Sequence, residues 1–255
     1  MKDTKIFYFD VDGTIFDNDT QTVSSKTIEA LRNLQENGYK VAMCTGRTLG
    51  AVKNTDIENL LEWDAYVLAN GGIIMDKDLN MLENIACEPQ FILDLIDIYP
   101  EPIILEGDQI YMSKDINPSI KQFLYESKIT APPTIDYKDE VIQKVILEDV
   151  NLIENGFDNP IFDKYDYHLN TANMYEIFPK DSGKHIAIAK YNKLNNYDSY
   201  TYFGDGHNDV DSIKHANFGV AMGNAVDDAK KHADYVTDHV SEDGVYNALK
   251  HHNVI

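Results

Sequence analysis

The sequence predicts an α/β protein, a parallel sheet with helices on both faces, interrupted by an inserted α+β module. Three observations predict it. Apolar strand-like runs alternate with helix-like segments from Ile6 to Gly72, which is the pattern of a parallel sheet built from crossover units. The alternation breaks over residues 77–179, where successive strands sit too close together for helical crossovers, so this sheet should be largely antiparallel. From Gly183 the first pattern resumes. The expected division is a discontinuous core, residues 1–76 and 180–255, around an insert of residues 77–179.

Each element has a local reason. Ile6-Phe7-Tyr8-Phe9 is a short β-rich run leading into Asp10-Val11-Asp12-Gly13-Thr14 and reads as a buried strand. Ser24 or Ser25 caps a helix that carries Ile28, Leu31 and Leu34 on one face and stops at Gly38. Tyr39 to Cys44 is a second strand ending in Thr45-Gly46-Arg47, and residues 48–61, with Leu49, Val52, Leu60 and Leu61, read as a helix. Asp64 to Ala69 is a third strand, ending in Asn70-Gly71-Gly72, and Ile73 to Met75 with Met81 to Ile85 form a hairpin. The insert then shows helices near 89–99 and 117–127, with strands at Ile103 to Leu105, Ile110 to Met112, Lys144 to Leu147, Tyr165 to Leu169 and Met174 to Phe178. A helix over 184–194 follows, then a strand from Ser199 to Phe203 ending in Gly204-Asp205, and a helix from Asn208 to His215. Gly219 to Met222 and Ala233 to Thr237 are the last strands, with helices from Asn224 and over Asp243 to His251.

Bulk composition narrows the partners. Asp and Glu number 43 against 22 Lys and Arg, a formal charge of −21, which repels phosphate backbones and anionic lipid. Nucleic acid and membrane surfaces are therefore not expected partners, and no apolar run is long enough to span a bilayer. Cys44 and Cys87 form neither a disulfide framework nor a zinc pattern, and the N-terminal apolar run is cut by Asp10, so a cytoplasmic location is expected.

The chemistry collects at strand ends. Ligands of open parallel sheets lie beyond the carboxyl ends of the strands. Asp10 and Asp12 leave their strand end on the same side, and Asp205 and Asp209 follow another, so four carboxylates come within reach of one place. They repel unless a hard divalent cation is bound, and all-oxygen ligands of this kind suit Mg²⁺. Thr45 supplies a hydroxyl, peptide N–H groups near Gly46 and Gly13 can point inward, and Lys184 opens a helix after Ser182-Gly183. A metal, a lysine, hydroxyls and backbone donors around one point form a clamp for a phosphoryl group. A central carboxylate can then attack phosphorus, while a second one two residues on acts as acid and base.

These residues resemble the motifs of the haloacid dehalogenase superfamily, Cof-type phosphatases of class IIB with a C2-type cap. Phe9-Asp10-Val11-Asp12-Gly13-Thr14 matches motif one, Thr45-Gly46-Arg47 motif two, Lys184 motif three and Gly204-Asp205-Gly206-His207-Asn208-Asp209 motif four. Ala221-Met222-Gly223-Asn224-Ala225 and Glu242-Asp243-Gly244-Val245 are similar to the group's C-terminal signatures. The resemblance implies a Rossmann-like core with a C2 cap in the insert, and Mg²⁺-dependent hydrolysis of a small phosphate ester. Asp10 is implied as nucleophile and metal ligand. Asp12 is implied as acid and base, with its main-chain carbonyl on the metal. Thr45, Gly46, Lys184 and Asn208 are implied to hold the phosphoryl group, Asp205 to bind the metal, and Asp209 to orient the groups around it. Lys180 competes with Lys184 for the motif-three role, and His185 and Ser212 depart from the usual residues of the pattern.

Other polar residues read more plainly. Arg47 is expected to anchor a loop or helix, Asp17 and Asp19 to be solvated, and His207 to have no catalytic part. His251 and His252 sit at a helix end, where they favour the dipole rather than a metal. Tyr111, Phe123 and Tyr165 are expected in the insert's core. The only arginines are Arg32 and Arg47, so residues 77–179 have none to capture a second phosphate or a carboxylate, and a monophosphate with a neutral body such as a sugar phosphate is expected. A phosphomutase shares the same chemistry, and a phospho-accepting or ligand-sensing module is the non-enzymatic alternative. Asp12 and the insert favour turnover.

Overall fold

Ile6-Phe7-Tyr8-Phe9 has no polar alternation, and such a strand is stable where helices cover both faces of its sheet. In the computed structural model all four residues are buried and form β1 (Ile6–Phe9). The structure describes residues 1, 3–53, 57–126, 129–148, 155–170 and 173–255. Helix α1 (Ser25–Glu36) starts where the Thr27 N–H donates to Ser24 Oγ at 3.1 Å, and it buries Ala30, Leu31 and Leu34. Gly38, at φ 86°, lets the chain reverse into β2 (Lys40–Cys44).

The helix expected over 48–61 is shorter. It is α2 (Leu49–Lys53), followed by a separate 3₁₀ turn over Ile57–Asn59, and residues 54–56 lie outside the described residues. Between Val52 and Leu60 only Ile57 is apolar, so the sequence has no stripe to bury along a second half. Strand β3 (Ala65–Leu68) and the hairpin strands β4 (Ile73–Asp76) and β5 (Met81–Asn84) follow. Then come α3 (Pro89–Ile98), β6 (Ile104–Gly107), β7 (Ile110–Met112), α4 (Pro118–Glu126), β8 (Ile142–Leu147), β9 (Tyr165–Leu169) and β10 (Tyr175–Pro179). Position 127, the last of the expected helix 117–127, lies outside the described residues. The remainder is α5 (Lys184–Asn195), β11 (Tyr200–Gly204), α6 (Val210–His215), β12 (Phe218–Ala221), α7 (Asp227–His232), β13 (Tyr235–Val236) and α8 (Gly244–His251).

The chain divides into two compact units. One comprises Met1–Gly46, Glu58–Glu83 and Gly183–Ile255, and the other Arg47–Ile57 and Asn84–Ser182. The first holds an eight-stranded sheet in the order β13-β12-β11-β1-β2-β3-β4-β5. Its strands from β13 to β3 are parallel, and β4 turns back antiparallel to β3. Phe9 stacks on Phe203 across β1 and β11 with ring centroids 4.8 Å apart, which packs the middle of this sheet.

The second unit holds a five-stranded sheet in the order β7-β6-β8-β10-β9, antiparallel throughout. One face buries Leu105, Val145 and Ile177 with Phe91 and Leu95 of α3. The other buries Ile104 and Ile146 with Ile120 and Phe123 of α4 and Ala51 of α2, which is why α2 groups with this unit. Phe123 and Tyr165 are core residues as expected, and Tyr111 packs half-buried against the α3 side.

Candidate active site

Because β1, β2 and β11 are parallel neighbours, their carboxyl ends lie side by side, and each is followed at once by a polar cluster. Phe9 pairs with Met43 on one side and Phe203 on the other, so Asp10, Thr45 and Asp205 emerge along one sheet edge. Gly13, at φ 79°, carries the first loop against Asp205, where a Cβ would collide with the Asp205 carboxylate. Thr14 Oγ1 donates to Asp205 Oδ1 at 3.0 Å and Asn224 Nδ2 donates to Oδ2 at 3.3 Å.

Lys184, the first residue of α5, is the hub. Its Nζ donates to Asp10 Oδ1 at 2.7 Å and to Asp209 Oδ1 at 2.6 Å, and only 1% of its side chain is exposed. Burial alone would pull its pKa down, but the carboxylates of Asp10 and Asp209 outweigh it and hold the ammonium charged well above its ordinary range. Asp209 is fully buried and its acceptors are occupied. Oδ1 also takes the Tyr202 hydroxyl at 2.6 Å, while Oδ2 takes the Asp205 and Gly206 N–H groups at 2.9 and 2.8 Å. Asp209 therefore fixes both the lysine and the turn that presents Asp205.

The carboxylates are not balanced by this one cation. Burial, then Asp209, push Asp10 well above its ordinary value despite Lys184. Burial and Asp209 push Asp205 up to about 7, with Thr14 and Lys184 opposing. Asp12 is half-buried, and its charge raises both groups further. Asp10, Asp205 and Asp209 each offer an oxygen within 4.8 Å of the others. A surplus of buried, hard oxygen donors is the surrounding that Mg²⁺ takes, so the residues present fit that ion. With the oxygens of Asp209 occupied, Asp10 and Asp205 are the carboxylates better placed to hold it.

A second group of residues gathers beside the first. Thr45 is buried; its N–H donates to Val67 O at 2.8 Å, and its carbonyl accepts from the Asn70 N–H at 3.1 Å. A Cβ on Gly46 would lie 3.0 Å from Asn70 Oδ1 and 3.5 Å from Asn208 Nδ2. Asn208 Nδ2 in turn donates to Asn70 Oδ1 at 2.8 Å. The structure thus joins Asp10, Lys184, Asp205 and Asp209 in one cluster, and Thr45, Gly46 and Asn208 through Asn70 in another.

The remaining candidates are placed elsewhere. Lys180 donates to the Asp163 carbonyl at 2.9 Å, within the second unit. Arg47 lends positive charge to Glu106. Asp19 is exposed, but Asp17 is not the solvated residue expected: it is 8% exposed, because its Oδ1 accepts the N–H groups of Asp19 and Thr20 and folds the loop over it. His207 is exposed, and His185 stacks on His215 with centroids 5.4 Å apart. Four participants carried no role in the sequence reading: Thr14, Asn70, Tyr202 and Asn224. Each had a signal: Thr14 and Asn224 lie inside the matched motifs, Asn70 opens a third polar cluster at a strand end, and Tyr202 puts a hydroxyl inside an otherwise buried strand.

Comparison with known proteins places this arrangement. A sequence model of haloacid dehalogenase-like hydrolases matches residues 7–249. The chain is 30% identical to the Bacillus subtilis protein YkrA over 97% of each chain. It is 28% identical to 5-amino-6-(5-phospho-D-ribitylamino)uracil phosphatase YcsE of Bacillus subtilis, covering 98% of this chain and 96% of that one. The fold is similar to that of the class IIB sugar phosphatase BT4131, with a TM-score of 0.84 and 25% identity over 99% of this chain and all 100% of the other.

Proposed function

The chain belongs to the haloacid dehalogenase-like hydrolases, and we propose that this phosphatase hydrolyses a small phosphate monoester with Mg²⁺ through an aspartyl phosphate on Asp10. The observation that carries the reading is the buried Lys184 held between Asp10 and Asp209 at the sheet edge where Asp205 also emerges. Asp10 and Asp205, with the Asp12 main-chain carbonyl, would hold the ion. When bound, it neutralises phosphoryl oxygens and keeps Asp10 ionised as a nucleophile.

Asp10 attacks phosphorus, and the departing ester oxygen takes its proton from Asp12. Asp12, now a carboxylate, takes a proton from the water that cleaves the aspartyl phosphate, which restores both residues and releases phosphate. Lys184 answers charge on the phosphoryl oxygens, and Thr45, the Gly46 N–H and Asn208 donate to them. Asp209 acts through Lys184 and the turn before it rather than on substrate.

We assign the insert expected at residues 77–179 as the C2-type cap; the compact unit that carries it comprises Arg47–Ile57 and Asn84–Ser182, and residues 77–83 stay with the core, whose sheet includes β5. The absence of arginine from 77–179 supports a monophosphate with a neutral body. The named substrate of YcsE, a phosphorylated ribityl compound, and the sugar phosphatase BT4131 point the same way, to a sugar or polyol phosphate. Among the described residues no helix is long and apolar enough to cross a membrane, and the free buried thiols of Cys44 and Cys87 fit a reducing cytoplasm.

A panel of phosphate monoesters assayed with Mg²⁺, on the wild type and on Asp10→Asn, tests the reading. Sugar and polyol monophosphates should release phosphate, and Asp10→Asn should lose more than about a thousandfold in turnover with its fold retained. Retained turnover in Asp10→Asn removes Asp10 as nucleophile. A strong preference for bisphosphates or phosphorylated acids removes the substrate class.

A further inference from the structure

The turn after β3 is strained in a way its sequence does not require. Ala69, Asn70 and Gly71 take successive positive φ values of 52°, 53° and 92°, and two of the three are not glycine. Such backbone persists only where its surroundings hold it, and it collects at ligand-binding sites. Here the Asn70 N–H donates to Thr45 O at 3.1 Å and the Gly72 N–H donates to Ala69 O at 3.0 Å. Gly71 lies against Gly183, the residue before Lys184, so closely that a Cβ at Gly71 would sit inside the Gly183 backbone. The turn is therefore pinned between the residues proposed to hold phosphate, Thr45 on one side and Lys184 on the other.

Asn70 is 2% exposed, and its side chain is half satisfied. Oδ1 accepts from Asn208 Nδ2 at 2.8 Å and lies beside Gly46. Asn208 presents its NH₂ group, which can only donate, and the Asn70 carboxamide turns its oxygen to it. The other end, Nδ2, is buried with no hydrogen-bond partner. A buried donor left without an acceptor is unfavourable and rare in folded proteins. Its neighbours Gly46 and Asn208 are both assigned to an anion, and an anion oxygen is the acceptor it lacks.

We infer that Asn70 is a further phosphoryl-binding residue, with Nδ2 donating to an oxygen of the bound phosphate while Oδ1 orients Asn208 towards the same group. This rests on the phosphatase reading above and deepens it. The strain at Asn70 is then the cost of presenting a side-chain donor from a turn that glycine would form more readily.

Two variants test it, with inorganic phosphate in the presence of Mg²⁺ as the probe, read by calorimetry and by competition with p-nitrophenyl phosphate hydrolysis. Asn70→Gly removes the side chain and suits the left-handed backbone, so its thermal midpoint should equal or exceed that of the wild type. Its affinity for phosphate should nevertheless fall at least tenfold. Asn70→Asp keeps the acceptor for Asn208 and a backbone that tolerates positive φ, but loses the donor and adds repulsion, so its affinity should fall further. A merely structural Asn70 gives the reverse in Asn70→Gly: a lower midpoint with unchanged phosphate affinity, and that result overturns the inference. Wild-type affinity in Asn70→Asp overturns it as well, even if Asn70→Gly fails to fold. A wild-type protein that neither binds phosphate nor hydrolyses the ester overturns the phosphatase reading itself, and the inference with it.

Discussion

Two lysines of this protein are buried between pairs of carboxylates, one in each unit, and their surroundings differ. Lys184 lies 2.7 Å from Asp10 and 2.6 Å from Asp209. Lys144, on β8, lies 3.1 Å from Glu106 of β6 and 3.0 Å from Glu176 of β10. Around Lys144 the charges come close to balance. His168 Nε2 lies 3.4 Å from Glu176, Asn170 Nδ2 donates to the same carboxylate at 3.2 Å, and Arg47 adds to the field at Glu106. Burial lifts Glu106 and Lys144 offsets part of that, while at Glu176 Lys144 and His168 outweigh burial and hold it well below its ordinary range. Around Lys184 Asp10, Asp12, Asp205 and Asp209 face one ammonium, and both Asp10 and Asp205 are pushed up. The difference teaches how to tell a structural ion cluster from a site: a negative surplus that the protein leaves uncorrected marks where a cation belongs.

The comparison is broken most directly by deleting each lysine. Lys144→Met leaves Glu106 and Glu176 buried without their cation and should cost about 3–5 kcal/mol in chemical denaturation, whether or not Mg²⁺ is present. Replacing Glu106 and Glu176 by Gln in the same protein should recover most of that loss. Lys184→Met should be destabilised too, but saturating Mg²⁺ should restore part of its stability, because the ion supplies charge to the same carboxylates. Equal behaviour of the two variants towards Mg²⁺ would remove the distinction between them.

The next effect is a pH dependence of the surplus. In the metal-free protein Asp205 keeps its proton up to about 7, whereas in the unfolded chain it loses it near the ordinary aspartate value of about 4. Between those values the native state holds more protons than the unfolded state, so this contribution to stability falls as pH rises. The proposed Mg²⁺, held by the ionised carboxylates, would reverse the trend. The gain in thermal midpoint on adding Mg²⁺ should therefore grow from pH 5 to pH 7.5, by about 2 kcal/mol, or roughly 4–8 °C in a chain of this size. A gain that is flat over this range would show that Asp205 is already ionised in the metal-free protein.

What was legible in the sequence follows the same division. Strands buried on both faces announce themselves as continuous apolar runs, so β1, β2, β3 and β11 were readable to within a residue or two. Polar clusters just after those runs are equally plain and contain Asp10, Thr45, Asp205 and Asn208, while Lys184 is legible as the first residue of a helix after Ser182-Gly183. Residues whose part depends on a partner distant in sequence were not legible. Asn70 matters through Asn208, a contact spanning 138 positions, and Lys144 looked like one more residue of a strand until β6 and β10 brought Glu106 and Glu176 beside it. Periodicity also overran its support at residues 48–61, where the apolar stripe lapses after Val52.

The smallest expected effect isolates one hydrogen bond of the Lys184 cluster, and the sheet provides its own control. Tyr8 and Tyr202 are register partners on adjacent strands, two residues before Asp10 and three before Asp205, and both are fully buried. Tyr202 Oη donates to Asp209 Oδ1 at 2.6 Å, whereas Tyr8 Oη donates to Asn192 Oδ1 at 2.8 Å, away from the carboxylates. Replacing either by Phe removes one buried hydroxyl and one hydrogen bond, and each should cost about 1 kcal/mol in stability. Only Tyr202→Phe loosens the carboxylate that positions Lys184. It should lower kcat several-fold at unchanged KM for substrate, while Tyr8→Phe should leave kcat where it was. If both variants lose stability and neither loses kcat, the Tyr202 hydroxyl is part of the core packing alone, and Lys184 is held well enough by Asp10 and the rest of the Asp209 contacts.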